Sequence, residues 1–206
     1  MMRFPKPLIT VGSVLLMSAC TVLPESKPPR IVGLGDITPQ QAAYQSPRPV
    51  SMRVDLPLAS APFDGTLVLI QPSNWEFQAL PGTRWRDTMP VLVHDQLVQS
   101  LRESNGFDNV LAANSAANAD ISLLPELRGF HARQTDQGTV VVVHVYYELL
   151  QNQTRETLCV LDEKQVVPAQ GTEVASLMTA FSQGTTEVAA NTAQWAFDCL
   201  EGVDAN

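Results

Sequence analysis

The sequence predicts an α/β fold: a single domain in which a mixed, mostly antiparallel β-sheet packs with two amphipathic helices. Three observations carry this expectation. Thr139 to Leu150 alternates strictly, with Val141, Val143, Val145, Tyr147 and Leu149 on one face, as a strand requires. Met89, Val93, Leu97 and Leu101 recur every fourth residue, which places them on one face of a helix. Val174, Leu177, Met178, Phe181, Val188, Thr192, Trp195, Cys199 and Leu200 form a second, longer helical stripe near the C-terminus.

The remaining elements follow in chain order. Met52, Val54 and Leu56 alternate with Arg53 and Asp55 in a half-buried strand that Pro57 ends. A turn at Asp64-Gly65 leads into a strand from Thr66 to Gln71, and Trp75 to Leu80 forms a third, closed by Pro81-Gly82. The first helix runs from Asp87 or Thr88 to Ser104, with Asp87 as N-cap, Pro90 tolerated in the first turn and Asn105-Gly106 as the stop. Phe107 to Leu111 is a short strand, and Ala112 to Asn118 a polar, alanine-rich connection. Asp120 to Arg133 is a strand bent by Pro125, which argues for an edge or a bulge. Apolar residues on both faces near the start of Thr139 to Leu150 make it a central strand covered on two sides. Arg155 to Val167 pairs back on it, and a helix from Glu173 to Leu200 follows, with Gly184 as a candidate kink. The order is βββ-α-ββββ-α, in two or three layers.

The N-terminus has a different character. Arg3 and Lys6 precede an uncharged apolar run, Leu8 to Met17. That run is shorter than the roughly 20 residues a stable transmembrane helix needs, and it has the flanks of a signal peptide. Met17-Ser18-Ala19-Cys20 follows at once and resembles the bacterial lipobox, with Met17 where leucine is usual. The small residues Ser18 and Ala19 suit a peptidase cleft, and the Cys20 thiol is the site for a diacylglycerol. An ordinary secretory signal with a chance cysteine is the plainer alternative. Three acyl chains would anchor the protein without a spanning helix. Thr21 lacks the aspartate that resembles an inner-membrane retention signal, so the expected destination is the outer membrane, facing the periplasm. Residues 1–19 are thus read as signal peptide. Residues 20–49, which hold Pro24, Pro28, Pro29, Pro39, Pro47 and Pro49, are read as a tether, and residues 50–206 as the domain.

Composition narrows the function. Removing residues 1–19 takes away two bases and no acid, which moves the formal charge from −8 to −10. Such a surface repels phosphate backbones, and no basic cluster interrupts it, so nucleic-acid binding is not expected. No Lys or Arg follows Lys164, while Glu173, Glu187, Asp198, Glu201 and Asp204 do. That end is either a solvated helix face or a docking surface for a basic partner. Setting Cys20 aside leaves Cys159 and Cys199, which form a disulfide in an oxidising compartment or remain two buried thiols.

Chemistry is scarce. The sequence holds no nucleophile elbow, phosphate-cradling glycine loop or Cys-x-x-Cys. His94, His131 and His144 lack the paired spacing of zinc ligands, and Asp162-Glu163 point to opposite faces of a strand. Neither an enzymatic activity, a lipid hydrolase included, nor a cofactor or metal is expected.

The order of short motifs resembles the ABC-type transport auxiliary lipoprotein family. The motifs are Met52 to Leu56 with Pro57 to Ser60, Phe63-Asp64-Gly65, the aromatic stretch Trp75 to Phe77, Trp85 to Asp87 leading into Met89 to Leu92, and Ala119 to Ile121. Ile31 to Leu34 departs from the Tyr-x-Leu usual near the tether. The resemblance implies an accessory lipoprotein that docks a periplasmic protein of the mammalian-cell-entry family in an intermembrane lipid transporter, alone or as a homo-oligomer. An envelope scaffold, pilotin-like and without a transport role, is the alternative. Candidate interface residues are Pro57, Asp64, Gly65 and Trp85, with Trp85 in the core as the competing reading.

Overall fold

In a computed structural model that describes residues 28–35 and 43–204, the longest ladder joins β7 (Ile121–Thr135) to β8 (Gly138–Gln151), which pair antiparallel from end to end. β9 (Glu156–Pro168) extends this ladder antiparallel on the far side of β8. The opposite edge of β7 is shared in parallel by β2 (Arg48–Val54), β3 (Leu58–Ala59) and β4 (Leu67–Ser73), in that order along its length. β6 (Phe107–Ala112) continues from β2, β5 (Glu76–Trp85) pairs back on β4, and β1 (Arg30–Val32) closes that branch beside β5. The expected mixed sheet is thus present, mostly antiparallel by paired residues.

Both helices lie on one face. α1 (Met89–Glu103) and α2 (Val174–Asp204) touch each other and share one core with the inward rows of the sheet. On β8 that row is Val141, Val143, Val145, Tyr147 and Leu149, all without exposed surface. The domain therefore has two layers. The expectation that β8 is covered on both sides is corrected: on the other face Val142 is buried, but Val140, His144, Tyr146 and Glu148 are only half-buried.

Pro125 is not at an edge either, because β7 has neighbours on both sides. It falls between the residues of β7 that pair with β2 (Ile121 to Leu123) and those that pair with β3 (Glu126 and Leu127). The missing N–H is tolerated where the neighbouring strand changes. The bulge lies just beyond, between Leu127 and Gly129. It puts Phe130 and Ala132 on the inward row in place of the odd-numbered residues before it.

α2 runs unbroken through Gly184. A Cβ built there would lie 3.2 Å from Val143 Cγ2 and Val167 Cγ2. The glycine is thus a point of close approach between helix and sheet, not a kink. Ala180, Ala189, Ala193 and Ala196 are buried along the same helix and keep it near the strands. Two of its buried hydroxyls are satisfied locally: Thr185 Oγ1 donates to the Phe181 carbonyl and Thr192 Oγ1 to that of Val188, each at 2.7 Å. Phe181 completes a ring cluster with Trp85 and Phe130, at centroid distances of 5.1 and 4.9 Å.

The domain starts earlier than Val50. β1 pairs with Thr83 to Trp85, and the Gly35 N–H donates to Ser182 Oγ on α2 at 2.8 Å. The Tyr44 ring stacks on Phe197 and its N–H donates to the Ser104 carbonyl at 2.8 Å. Arg48 lies over the same Phe197 ring and pairs with Glu201 at 3.0 Å. Parts of the segment read as tether are therefore built into the fold. Other differences are local. β5 continues through Pro81-Gly82 to Trp85 because Gly82 takes φ +63°, and a large register shift against β4 accommodates the extra residues. Thr88 and not Asp87 occupies the N-cap position of α1, without a side-chain capping bond, and Asp87 Oδ1 accepts the Thr88 N–H at 2.7 Å.

Two substitutions test the packing of α2. Phe181→Ala should cost about 3–5 kcal/mol of unfolding free energy in urea titration, the usual loss for a buried aromatic. Gly184→Leu should cost about 1–3 kcal/mol, because the helix must lift from Val143 and Val167. A Gly184→Leu chain as stable as wild type would mean that the close approach is not a constraint.

Candidate docking surface

The sheet face away from the helices is built from alternate residues of β7, β8 and β9. Register partners across it are Glu126 with Tyr146 with Asp162, and Val142 with Val166. On β9 the outward residues Val160, Asp162, Lys164 and Val166 are all exposed. Val160 is 52% and Val166 44% exposed, although valine in a strand usually finds cover. Leu58 on β3 is 72% exposed. It lines a shallow groove with Ala59, Ser60, Phe63, Glu126 and Arg128.

A charged cluster crosses this face. Arg128, outward like Glu126 and placed at the bulge, pairs with Glu126 at 3.0 Å and approaches Asp162 at 3.7 Å. Its guanidinium also sits 4.2 Å above the Tyr146 ring. His144 Nε2 and Asp162 Oδ1 are 2.7 Å apart. The hydrogen bond to Glu126, together with the nearby charges of Glu126 and Asp162, raises the Arg128 pKa further above its ordinary range. The result is a strip with both charge signs between apolar side chains, which resembles a protein-binding surface more than a catalytic pocket.

The interface residues expected from sequence divide. Asp64 is exposed, and Gly65 has open space where a Cβ would be. Pro57 is buried, and Trp85 is 2% exposed against Phe130 and Phe181, so these two present no surface. Trp85 belongs to the core. Val160 and Val166 went unnoticed in the sequence, because alternation alone does not reveal which face of a strand lacks a covering layer. Met17, Ser18, Ala19 and Cys20 lie outside the described residues.

The histidines stand apart from one another in role. His94 is buried on α1, its Nε2 3.2 Å from the Val54 carbonyl and 3.4 Å from the Ala113 nitrogen. His131 is buried between Phe63 and Phe77, with ring centroids at 5.8 and 5.1 Å. Desolvation, helped by Arg133 and Lys164, pushes its pKa down to about 4. Among the described residues no three His, Cys, Asp or Glu side chains gather as a metal site, and no helix is long and apolar enough to cross a membrane.

Cys159 on β9 and Cys199 on α2 form a disulfide, with Cα atoms 6.3 Å apart across 40 residues of sequence. It fastens the end of the long helix to the outer strand of the sheet. Replacing Cys199 by Ser should therefore lower unfolding stability by about 2–5 kcal/mol in denaturant titration, whereas an unchanged midpoint would deny the bond a structural role.

His131 predicts an acid dependence. The unfolded chain takes up a proton on this residue near pH 6.5, but the folded chain does so only near pH 4. Between those values the unfolded state binds more protons, so stability falls as pH falls. His131→Phe should flatten that part of the thermal-stability profile relative to wild type. Parallel profiles for the two chains would contradict the assignment.

Comparison with known proteins places the chain. A search of curated proteins returns no match. A crystal structure of a Xanthomonas campestris protein from the DUF330 family superposes with a TM-score of 0.75 at 18% identity, covering 85% of this chain and 99% of that one. A second, described only as an uncharacterized protein, gives a TM-score of 0.61 at 18% identity, covering 76% and 98%. These likenesses concern the fold. The model of the ABC-type transport auxiliary lipoprotein component matches residues 33–193, which takes in both helices' cores and every strand after β1. The chain belongs to that family of auxiliary lipoproteins.

Proposed function

We propose that this protein is a lipid-anchored, periplasm-facing component of the outer membrane that docks the mammalian-cell-entry-family protein of an ABC-type intermembrane lipid transporter. The family match supports an auxiliary role in ABC-type transport. The observation that carries the docking role is the uncovered sheet face, where Leu58, Val160 and Val166 stand exposed around the Arg128–Asp162 cluster. A domain with helices on one face only leaves the other for a partner. The Pro57–Gly65 loop extends this surface through Leu58, Ser60 and Asp64. In this reading the protein performs no catalysis. The lipobox-like Met17 to Cys20 supplies the anchor, with Cys20 as the lipidated residue.

The test is co-purification of the tagged, full-length protein from detergent-solubilised envelopes. The mammalian-cell-entry-family protein should be recovered with wild type. Recovery should fall at least tenfold with Leu58→Asp combined with Val160→Asp, two exposed positions where the change leaves folding intact. Cys20→Ala should give an unprocessed precursor or a chain released from the membrane fraction. Recovery of peptidoglycan or secretion-machinery partners alone, with normal lipid asymmetry in a deletion strain, would favour the scaffold reading instead.

A further inference from the structure

The β4–β5 hairpin ends in a turn at Asn74-Trp75, and Trp75 is 87% exposed. Asn74 to Ala79 are exposed, and although Phe77 packs on Phe63 and His131, the turn at Asn74-Trp75 projects from the domain. An indole in water forgoes the largest apolar burial available to any side chain, whereas its flat apolar ring and single N–H donor suit a lipid headgroup layer. The topology shows which way this tip faces relative to the N-terminal chain. β4 runs toward the tip and β5 runs back from it. β1 lies parallel to β5, with Arg30 beside Thr83 and Val32 beside Trp85, so the chain enters β1 from the side of the tip. The ten residues from Cys20 to Pro29 span at most roughly 33 Å when extended. The six steps of β4 from Leu67 to Ser73 cover roughly 20 Å, so the distance from β1 to the plane of the tip lies within that reach.

We propose that Trp75 is a second membrane contact: the β4–β5 tip sits in the headgroup layer of the same phospholipid membrane that holds Cys20, and thereby fixes the orientation of the domain. The proposal rests on the reading that Cys20 is lipidated. Glu76 follows Trp75, and Asp136 lies in the β7–β8 turn at the same end of the sheet, so the contact is apolar and favours zwitterionic over anionic lipid. With the tip down, the free edge and outward face of β9 stand roughly upright from the membrane, open to a partner arriving from the side.

The experiment reconstitutes the mature full-length chain, as purified from envelopes, and its Trp75→Ser variant into phosphatidylcholine vesicles with and without dibrominated phosphatidylcholine. Trp85 is buried in the core and Trp195 is half-buried against Tyr147, so bromine quenching reports mainly on Trp75. Wild type should lose at least twice the fraction of its emission that the variant loses, while both chains float with the vesicles. Equal quenching of two floating chains would overturn the proposal and leave Trp75 to a protein partner. If neither chain floats, the lipidation reading fails, and the membrane contact fails with it.

Discussion

The seat of α2 across β8 and β9 is the constraint from which the other features follow. Val141, Val143, Val145, Tyr147 and Leu149 present a continuous apolar row, and only a long helix covers all of it. Burial of this row and of Leu177, Phe181 and Val188 above it removes several large side chains from water, each stabilising by about 1.5–3 kcal/mol. The fit is close because Gly184 and the buried alanines let the helix backbone approach the strands. The same helix receives Gly35 on Ser182 and the ring of Tyr44 on Phe197, and Cys199 ties its end to β9. With α2 removed, Gly35 after the first strand, the segment before β2 and the aromatic cluster around Trp85 would each lose a partner.

Much of this was legible in the sequence, for a physical reason. Periodicity reports burial, so the strand of Thr139 to Leu150 and both helices could be read from their apolar rows. What periodicity does not carry is the identity of the neighbour. A proline lacks a ladder donor, so Pro125 argues for an edge or a bulge; β7 has no edge there, but accommodates it at the gap between two successive partners, with a bulge just beyond. Gly184 was read as a kink because glycine weakens helices, but the reason for it lies on Val143 and Val167, some 40 and 17 residues away in sequence. β1 escaped notice because three residues with prolines just ahead of them carry no period. Trp85 was weighed as a surface anchor from its place near a helix start, and packing against Phe130 and Phe181 decided for the core.

The candidate site shows the same division. Cysteine arithmetic left Cys159 and Cys199 either joined or as two buried thiols, and the structure joins them, outer strand to covering helix. The docking face depends instead on a layer that is missing, which leaves no mark in the alternation of β9. Val160 and Val166 look like core valines in sequence, and exposure alone distinguishes them. Arg128 lies two residues after Glu126 on the same outward side, and at the bulge it meets Glu126, Tyr146 and Asp162. This strip, with both charge signs between exposed apolar side chains, is the feature on which the proposed docking role rests.

α2 and the β7–β8 ladder form the stable centre of the fold. Native-state amide hydrogen exchange on the mature chain measures this residue by residue. The slowest amides should fall at Val141 to Leu149, Phe130 to Ala132 and Phe181 to Ala193, with exchange close to that of global unfolding. The tip from Asn74 to Ala79 should exchange orders of magnitude faster. Comparable protection along the β4–β5 hairpin, or fast exchange through the middle of α2, would contradict it.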